Sequence, residues 1–152
     1  MRLWHKGLIS VLPEMQLKGQ WRECCLIAKA LLENNLNHVL VNRVKDYPAE
    51  HFFQYCGMVY NEMISRGYKA DKNRLLRYAI LYEVQAFENE PIEYDNLFDC
   101  YVKGKFIRWH YSRYLKQCLC NLEEKAMCGG IPSEEWVKVV EKFGEYFDLW
   151  RG

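Results

Sequence analysis

The stretch after Pro13 constrains the chain most. Leu17, Trp21, Cys24, Ala28 and Leu31 alternate at spacings of four and three, which lays one apolar stripe along a helix and turns it to a core. Arg22 and Glu23 fall at the edges of that stripe. Gly19 stands one turn before Glu23, where glycine costs a helix about 1 kcal/mol relative to alanine and leaves a notch beside the carboxylate. Taken alone, an Arg-Glu pair on such a helix is a solvated ion pair.

The remaining chain reads as further helices. Met1 to Leu12 is a short irregular arm, with Leu3 and Trp4 pinning it to the core. Pro13 suits a first helical turn, with Ser10 or Leu12 near the cap, and the helix runs to about Glu33 before Asn34-Asn35 ends it. The segment from Asn37 to Arg43 reads as loop or short helix. From Pro48 to Arg66, Phe52, Cys56, Val59 and Met63 form an amphipathic helix that Gly67 stops as a left-handed cap; its His51, Tyr55 and Met58 read as packing residues.

Asp71 caps another helix holding Leu75, Leu76, Ala79, Ile80 and Val84. Its bases Lys72, Arg74 and Arg77 fit a DNA face or a solvated surface equally. Glu88-Asn89-Glu90-Pro91 breaks the chain, and Ile92 to Val102 reads as a short acidic helix or turn. Lys103 to Lys116 interleaves bases with aromatics and continues through Cys118, Leu119 and Leu122 as a helix. Arg108, Arg113 and Lys116 are candidate phosphate contacts, and the rings are read mainly as core. Gly129-Gly130 ends this helix. Ser133 opens the last one, with Trp136, Val139, Val140, Phe143, Phe147 and Trp150 on its apolar face. The expectation is an all-α fold: residues 1–152 as one compact bundle of five to six helices behind a short irregular arm.

Half of the 152 residues are apolar, which describes a globular chain with one sizeable core. No apolar run approaches the ~20 residues of a membrane span. The apolar part after Lys6 is too short for a signal peptide, so a cytoplasmic protein is expected. The seven cysteines are odd in number and scattered, with no paired Cys-x-x-Cys, and Cys118, Cys120 and Cys128 read as buried thiols. Net charge is only +1, yet residues 1–80 carry a balance of +5 and residues 81–152 one of −4. A basic face built from the first half is compatible with nucleic acid.

Gln16-Leu17 followed by Trp21-Arg22-Glu23, behind Met1-Arg2-Leu3-Trp4, resembles the pyrimidine dimer DNA glycosylase family. The resemblance is closest over residues 1 to 70 and extends to His38-Val39 and to Arg66-Gly67-Tyr68 at a helix end. It implies a terminal α-amine that attacks the sugar carbon bearing a damaged base, with strand cleavage by elimination to follow. An α-amine suits that work: its pKa is about 7.7 to 8.0 against about 10.4 for lysine, so near neutrality part of it is a free nucleophile. Arg2 is too bulky for the usual removal of Met1, so Met1 is the expected nucleophile where the family's pattern uses a processed terminus. Glu23 matches the carboxylate that steadies the imine and shuttles protons, and Arg22 a guanidinium that forks onto phosphate.

The same resemblance gives Arg2, Gln16, His38, Arg43 and Lys29 as DNA contacts. Leu26 departs from a basic position of the pattern, and Lys29 is the nearest base to it. The aromatic carboxyl end also departs, having acidic flanks. Imine chemistry requires no metal or organic cofactor. The implied partner is double-stranded DNA with damaged or modified bases, met by a monomer. Near-neutral charge and the missing bases motivate one alternative, a non-catalytic helical nucleic-acid or protein binding module, and a glycosylase for another modified base is a further one. Reaching the sugar requires a flipped nucleotide, whose unstacking costs about a few kcal/mol and least at damage.

Overall fold

The computed structural model describes residues 1–81 and 91–151. Five α-helices make most of it: α1 (Glu14–Leu32), α2 (Ala49–Ser65), α3 (Lys72–Leu81), α4 (Ser112–Met127) and α5 (Ser133–Arg151). Short 3-10 turns at Lys6–Val11, Asn42–Asp46 and Tyr94–Asn96 connect them, with one hairpin of β1 (Asp99–Val102) and β2 (Lys105–Arg108). None of the described helices is long and apolar enough to cross a membrane.

The helix ends follow the punctuation of the sequence. Pro13 caps α1 without a side-chain bond, and the Glu135 carboxylate of α5 supplies the missing acceptor, 2.7 Å from the Glu14 N–H. Asn34 takes a left-handed φ of 54° after the last turn, and the Asn35 N–H reaches back to Ala30 O. At the end of α2, Gly67 has φ 81° while the Tyr68 N–H bonds Met63 O, the doubly bonded cap that glycine permits. Asp71 Oδ1 accepts the Asn73 N–H at 3.0 Å to begin α3. The expected Val84 turn of that helix, the break at 88–90 and the Trp150 side chain lie outside the described residues.

Three expectations are corrected: residues 99–102, expected within a short acidic helix or turn, form strand β1, residues 103–111 are not helical, and Cys120 and Cys128 are not buried. The helix fails over 103–111 because Lys103 and Gly104, with φ 52° and 79°, form a two-residue turn between strands registered Val102 to Lys105 and Tyr101 to Phe106. The Tyr101 and Phe106 rings meet edge to face at 5.0 Å across the pair. Phe106 is therefore exposed, and Trp109 carries the burial expected of these rings. Cys24, Cys25, Cys56 and Cys118 are buried thiols, whereas Cys120 and Cys128 are exposed.

Helix α1 packs on α2 and α3, and the 3-10 turn of the arm lies against α2 and α5. An aromatic cluster of Tyr47, Tyr55, Phe98, Trp109 and His110 fills the space below the arm. Phe98 is fully buried with φ 63°, a conformation costing about 1–2 kcal/mol for a bulky residue. Its N–H donates to His51 Nδ1, and its carbonyl accepts from the Trp109 N–H and the Tyr47 hydroxyl, which holds it there. The arm thus rests on a rigid floor.

A candidate active site at the amino terminus

Helix α1 offers Gln16, Gln20 and Glu23 at spacings of four and three, so all three face the same way along its axis. Gln20 decides where the arm lies. Its Oε1 accepts the Trp4 N–H at 2.8 Å and its Nε2 donates to Arg2 O at 2.8 Å, a two-point grip on extended backbone. The Tyr55 hydroxyl donates to Trp4 O at 2.5 Å, and the Tyr114 hydroxyl donates to Leu3 O at 2.5 Å. Burial pushes both tyrosine pKa values up, which keeps the two hydroxyls protonated as donors. Leu3 is fully buried and Trp4 nearly so, which adds an apolar anchor to the polar ones.

One turn after Gln20, Glu23 meets the start of the chain. Its Oε2 accepts the Arg2 N–H at 3.1 Å, and its Oε1 lies 3.8 Å from the Met1 nitrogen. The Met1 and Glu23 side chains are 25% and 30% exposed. The first nitrogen of the chain is therefore held beside an acid.

The next residues continue the anchoring. The Lys6 N–H donates to His110 Nδ1 at 2.9 Å, and its ammonium reaches Tyr94 O at 2.6 Å, Leu97 O at 3.0 Å and Asp99 at 3.6 Å. Burial lowers the Lys6 pKa, against the pull of Asp99. His5 stacks on His110 with ring centres 5.3 Å apart and receives the Gly7 N–H on Nδ1. Burial lowers the His5 pKa to about 4 and holds His110 well below its ordinary value, so both rings are neutral.

The other residues singled out from sequence surround this pair unevenly. Arg2 lays its guanidinium over the Trp4 ring, 5.1 Å from the centre, and approaches Cys118. Arg22 is exposed beside Glu23, and its guanidinium would meet a Cβ at position 19 at 3.7 Å, so the Gly19 notch opens towards Arg22. Gln16 Oε1 is buried without a hydrogen-bond partner among the described residues. His38 and Arg43 lie in the loop beyond α1, where Arg43 joins Tyr111, Arg113, Tyr114 and Gln117 around a polar cavity of about 220 Å³. Lys29 pairs with Glu33 at 3.9 Å and stands roughly 120° around the helix from Glu23.

Sequence reasoning passed over three residues that build the site. Gln20 stands inside the motif without a chemical signature, and its role depends on two backbone groups sixteen and eighteen residues earlier. Tyr55 and Tyr114 read as packing or interleaved aromatics, and nothing local announces their bonds to the arm.

A helical protein that holds its terminal amine against a carboxylate is the class these observations define. The family model of pyrimidine dimer DNA glycosylase matches residues 1–76, half of the chain, and the chain belongs to that family. The match takes in the arm, α1, α2 and Met1, Arg2, Gln16, Arg22, Glu23, Lys29, His38 and Arg43. Membership implies a DNA glycosylase with damaged DNA as its substrate. No curated protein and no solved structure matches the chain.

Proposed function

We propose that this glycosylase works through the α-amine of Met1 and cleaves the strand after removing the base. The observation that carries the reading is the 3.8 Å separation of that amine from Glu23 Oε1, with the Arg2 N–H fixing the other carboxylate oxygen. The neutral amine attacks C1′ of the damaged nucleotide, and the bond from C1′ to the base breaks with its electron pair leaving on the base, which takes up a proton. Loss of the amine proton and protonation of the ring oxygen open the sugar to an imine. Glu23 then removes a proton from C2′, the 3′ phosphate departs by elimination, and water releases the enzyme from the sugar.

Each residue has one task in this scheme. Glu23 accepts and returns protons, a contribution of about 10²–10⁴ in rate for a positioned acid or base. Arg22, exposed one position before it, binds a phosphate beside the reacting sugar, and Arg2 adds charge to the same side. Gln20, Tyr55 and Tyr114 are positioning residues. Their bonds to residues 2–4 restrict the amine's travel, which is how preorganisation lowers a barrier. Arg43 and His38 are DNA contacts on the loop beyond α1, with Gln16 and Lys29 flanking along the helix.

Glu23→Gln tests the scheme. The variant is expected to bind a dimer-containing duplex within about threefold of wild type while strand cleavage falls at least 100-fold. Cleavage at the wild-type rate would refute the role of Glu23, and absence of cleavage in both forms would refute the enzymatic reading.

A further inference from the structure

Charge in the second half of the chain is segregated more sharply than its balance of −4 conveys. Five of the nine Lys and Arg residues after position 80 fall between Cys100 and Leu122, a stretch without an Asp or Glu. The first of them stand on the β1–β2 hairpin. Lys103 and Gly104 both take a left-handed φ, so the turn is of the tight kind that follows the twist of its strands. At its root the Trp109 N–H donates to Asp99 Oδ1 at 2.8 Å and to Phe98 O at 3.0 Å, and the Trp109 ring is buried. The hairpin is thus a braced element with an exposed, basic turn.

Register sorts its side chains. Val102, Lys105 and Ile107 share one face, while Tyr101, Phe106 and Arg108 share the other. Lys103 and Lys105 meet Lys45, of the 3-10 turn Asn42–Asp46, around one groove of about 630 Å³ that has Val102 and Ile107 in its walls. Asp46 is the one acid among the described residues of that lining. The Lys45 ammonium is oriented by Leu36 O at 2.9 Å, and among the described residues none of the three lysines pairs with a carboxylate. Arg43, two residues before Lys45 and so about 120° from it around a 3-10 turn, lines the polar cavity that also holds Arg113. The same turn therefore gives one base to each of two cavities, and each cavity takes further bases from the acid-free stretch.

We infer that the groove between the hairpin and the 3-10 turn binds the phosphate backbone of duplex DNA flanking the damage, with Lys45, Lys103 and Lys105 as its contacts. The inference rests on damaged DNA as the substrate, as read above, and not on the Met1 amine. Duplex DNA carries one negative charge per ~1.7 Å of its axis, a density that a near-neutral protein meets only where its cations are gathered. Lysine ammonium groups act on phosphate as point charges, and the Val102 and Ile107 walls suit the apolar edges of the sugars. Such contacts position a duplex without reading its bases, so they hold intact and damaged DNA alike. They lie outside residues 1–76 in two of the three lysines, which makes the hairpin this chain's own addition to the matched region.

The test measures binding of the full chain with its native terminus to a long duplex, intact or carrying a pyrimidine dimer, across a range of salt. K103Q/K105Q is expected to flatten the slope of log affinity against log salt by about 2, since each phosphate contact contributes about 0.9, and to weaken low-salt binding about tenfold or more on both duplexes. Each single change, K103Q or K105Q, should give about half of that slope change, so the reading does not hang on the stability of the double variant. K103R/K105R should keep slope and affinity, and K125Q/K138Q, with the same loss of charge on α4 and α5, should keep the slope. An unaltered slope in K103Q/K105Q overturns the inference and is the result expected if the hairpin serves an acidic protein partner instead. An equal loss in K125Q/K138Q, a loss confined to the damaged duplex, or a wild type that binds neither duplex overturns it too. Strand cleavage by wild type separates the two readings. A damaged duplex bound with the expected slopes but never cut removes the amine chemistry and keeps the groove, whereas cutting with an unaltered slope in K103Q/K105Q does the reverse.

Discussion

Replacing Gln20 by Leu removes the grip on the arm while leaving its apolar anchors in place. The buried Trp4 N–H loses its acceptor, an unsatisfied donor costing about 1–3 kcal/mol, and Arg2 O loses a donor worth about 0.5–1.5 kcal/mol. Tyr55 cannot make good the loss, since its hydroxyl donates to Trp4 O and Leu has no oxygen to receive the amide. The total is about 2–4 kcal/mol, which in a chain of this size lowers the melting temperature by roughly 5–15 °C. If the loss is confined to the arm, about 3 kcal/mol multiplies its undocked population by roughly 100. Native-state amide exchange at Arg2 and Trp4 distinguishes the local from the global effect, and strand cleavage should fall in step with the exchange. Gln20→Glu, which keeps the acceptor for Trp4 but sets a carboxylate against Arg2 O, should fall between. A melting temperature within about 1 °C of wild type, together with unchanged Trp4 protection, would refute the reasoning.

Extending the chain by one glycine before Met1 moves the amine about 3.8 Å along the backbone, so borohydride trapping on abasic DNA should drop at least tenfold while the melting temperature is unchanged. Acid should weaken the fold in a defined window. His5, His51 and His110 are held below their ordinary pKa by burial, His5 at about 4, while each titrates near 6.5 in the unfolded chain. Above about pH 6.5 the rings are neutral in both states; below it the unfolded chain takes up protons that the folded one does not, so stability falls as pH drops towards 4. For His5 alone the loss is about 3 kcal/mol, seen as a urea midpoint that declines steadily across that interval, and a flat midpoint would contradict the burial argument.

Much of this arrangement was legible before the structure. The stripe of α1, the Asn34-Asn35 and Gly67 stops and the Asp71 start are local signals, each satisfied by bonds within a few residues. The hairpin carried a local signal too, glycine at the second centre of Val102-Lys103-Gly104-Lys105, but the periodic bases and aromatics on both sides mimic a continuous helix. The Met1 and Glu23 pairing followed from a motif, whereas the means of holding it did not. Gln20, Tyr55 and Tyr114 act on backbone atoms up to 111 residues away, and backbone groups leave no mark on a sequence.

The account turns on which nitrogen bonds the sugar. Borohydride reduction of wild-type protein on an abasic oligonucleotide, followed by proteolysis and mass spectrometry, locates the covalent link. The predicted mass lies on the peptide containing Met1, attached through the α-amine. An adduct on Lys6, the lysine within the arm, or on any other lysine would contradict the account, as would a protein with a free terminus that traps nothing.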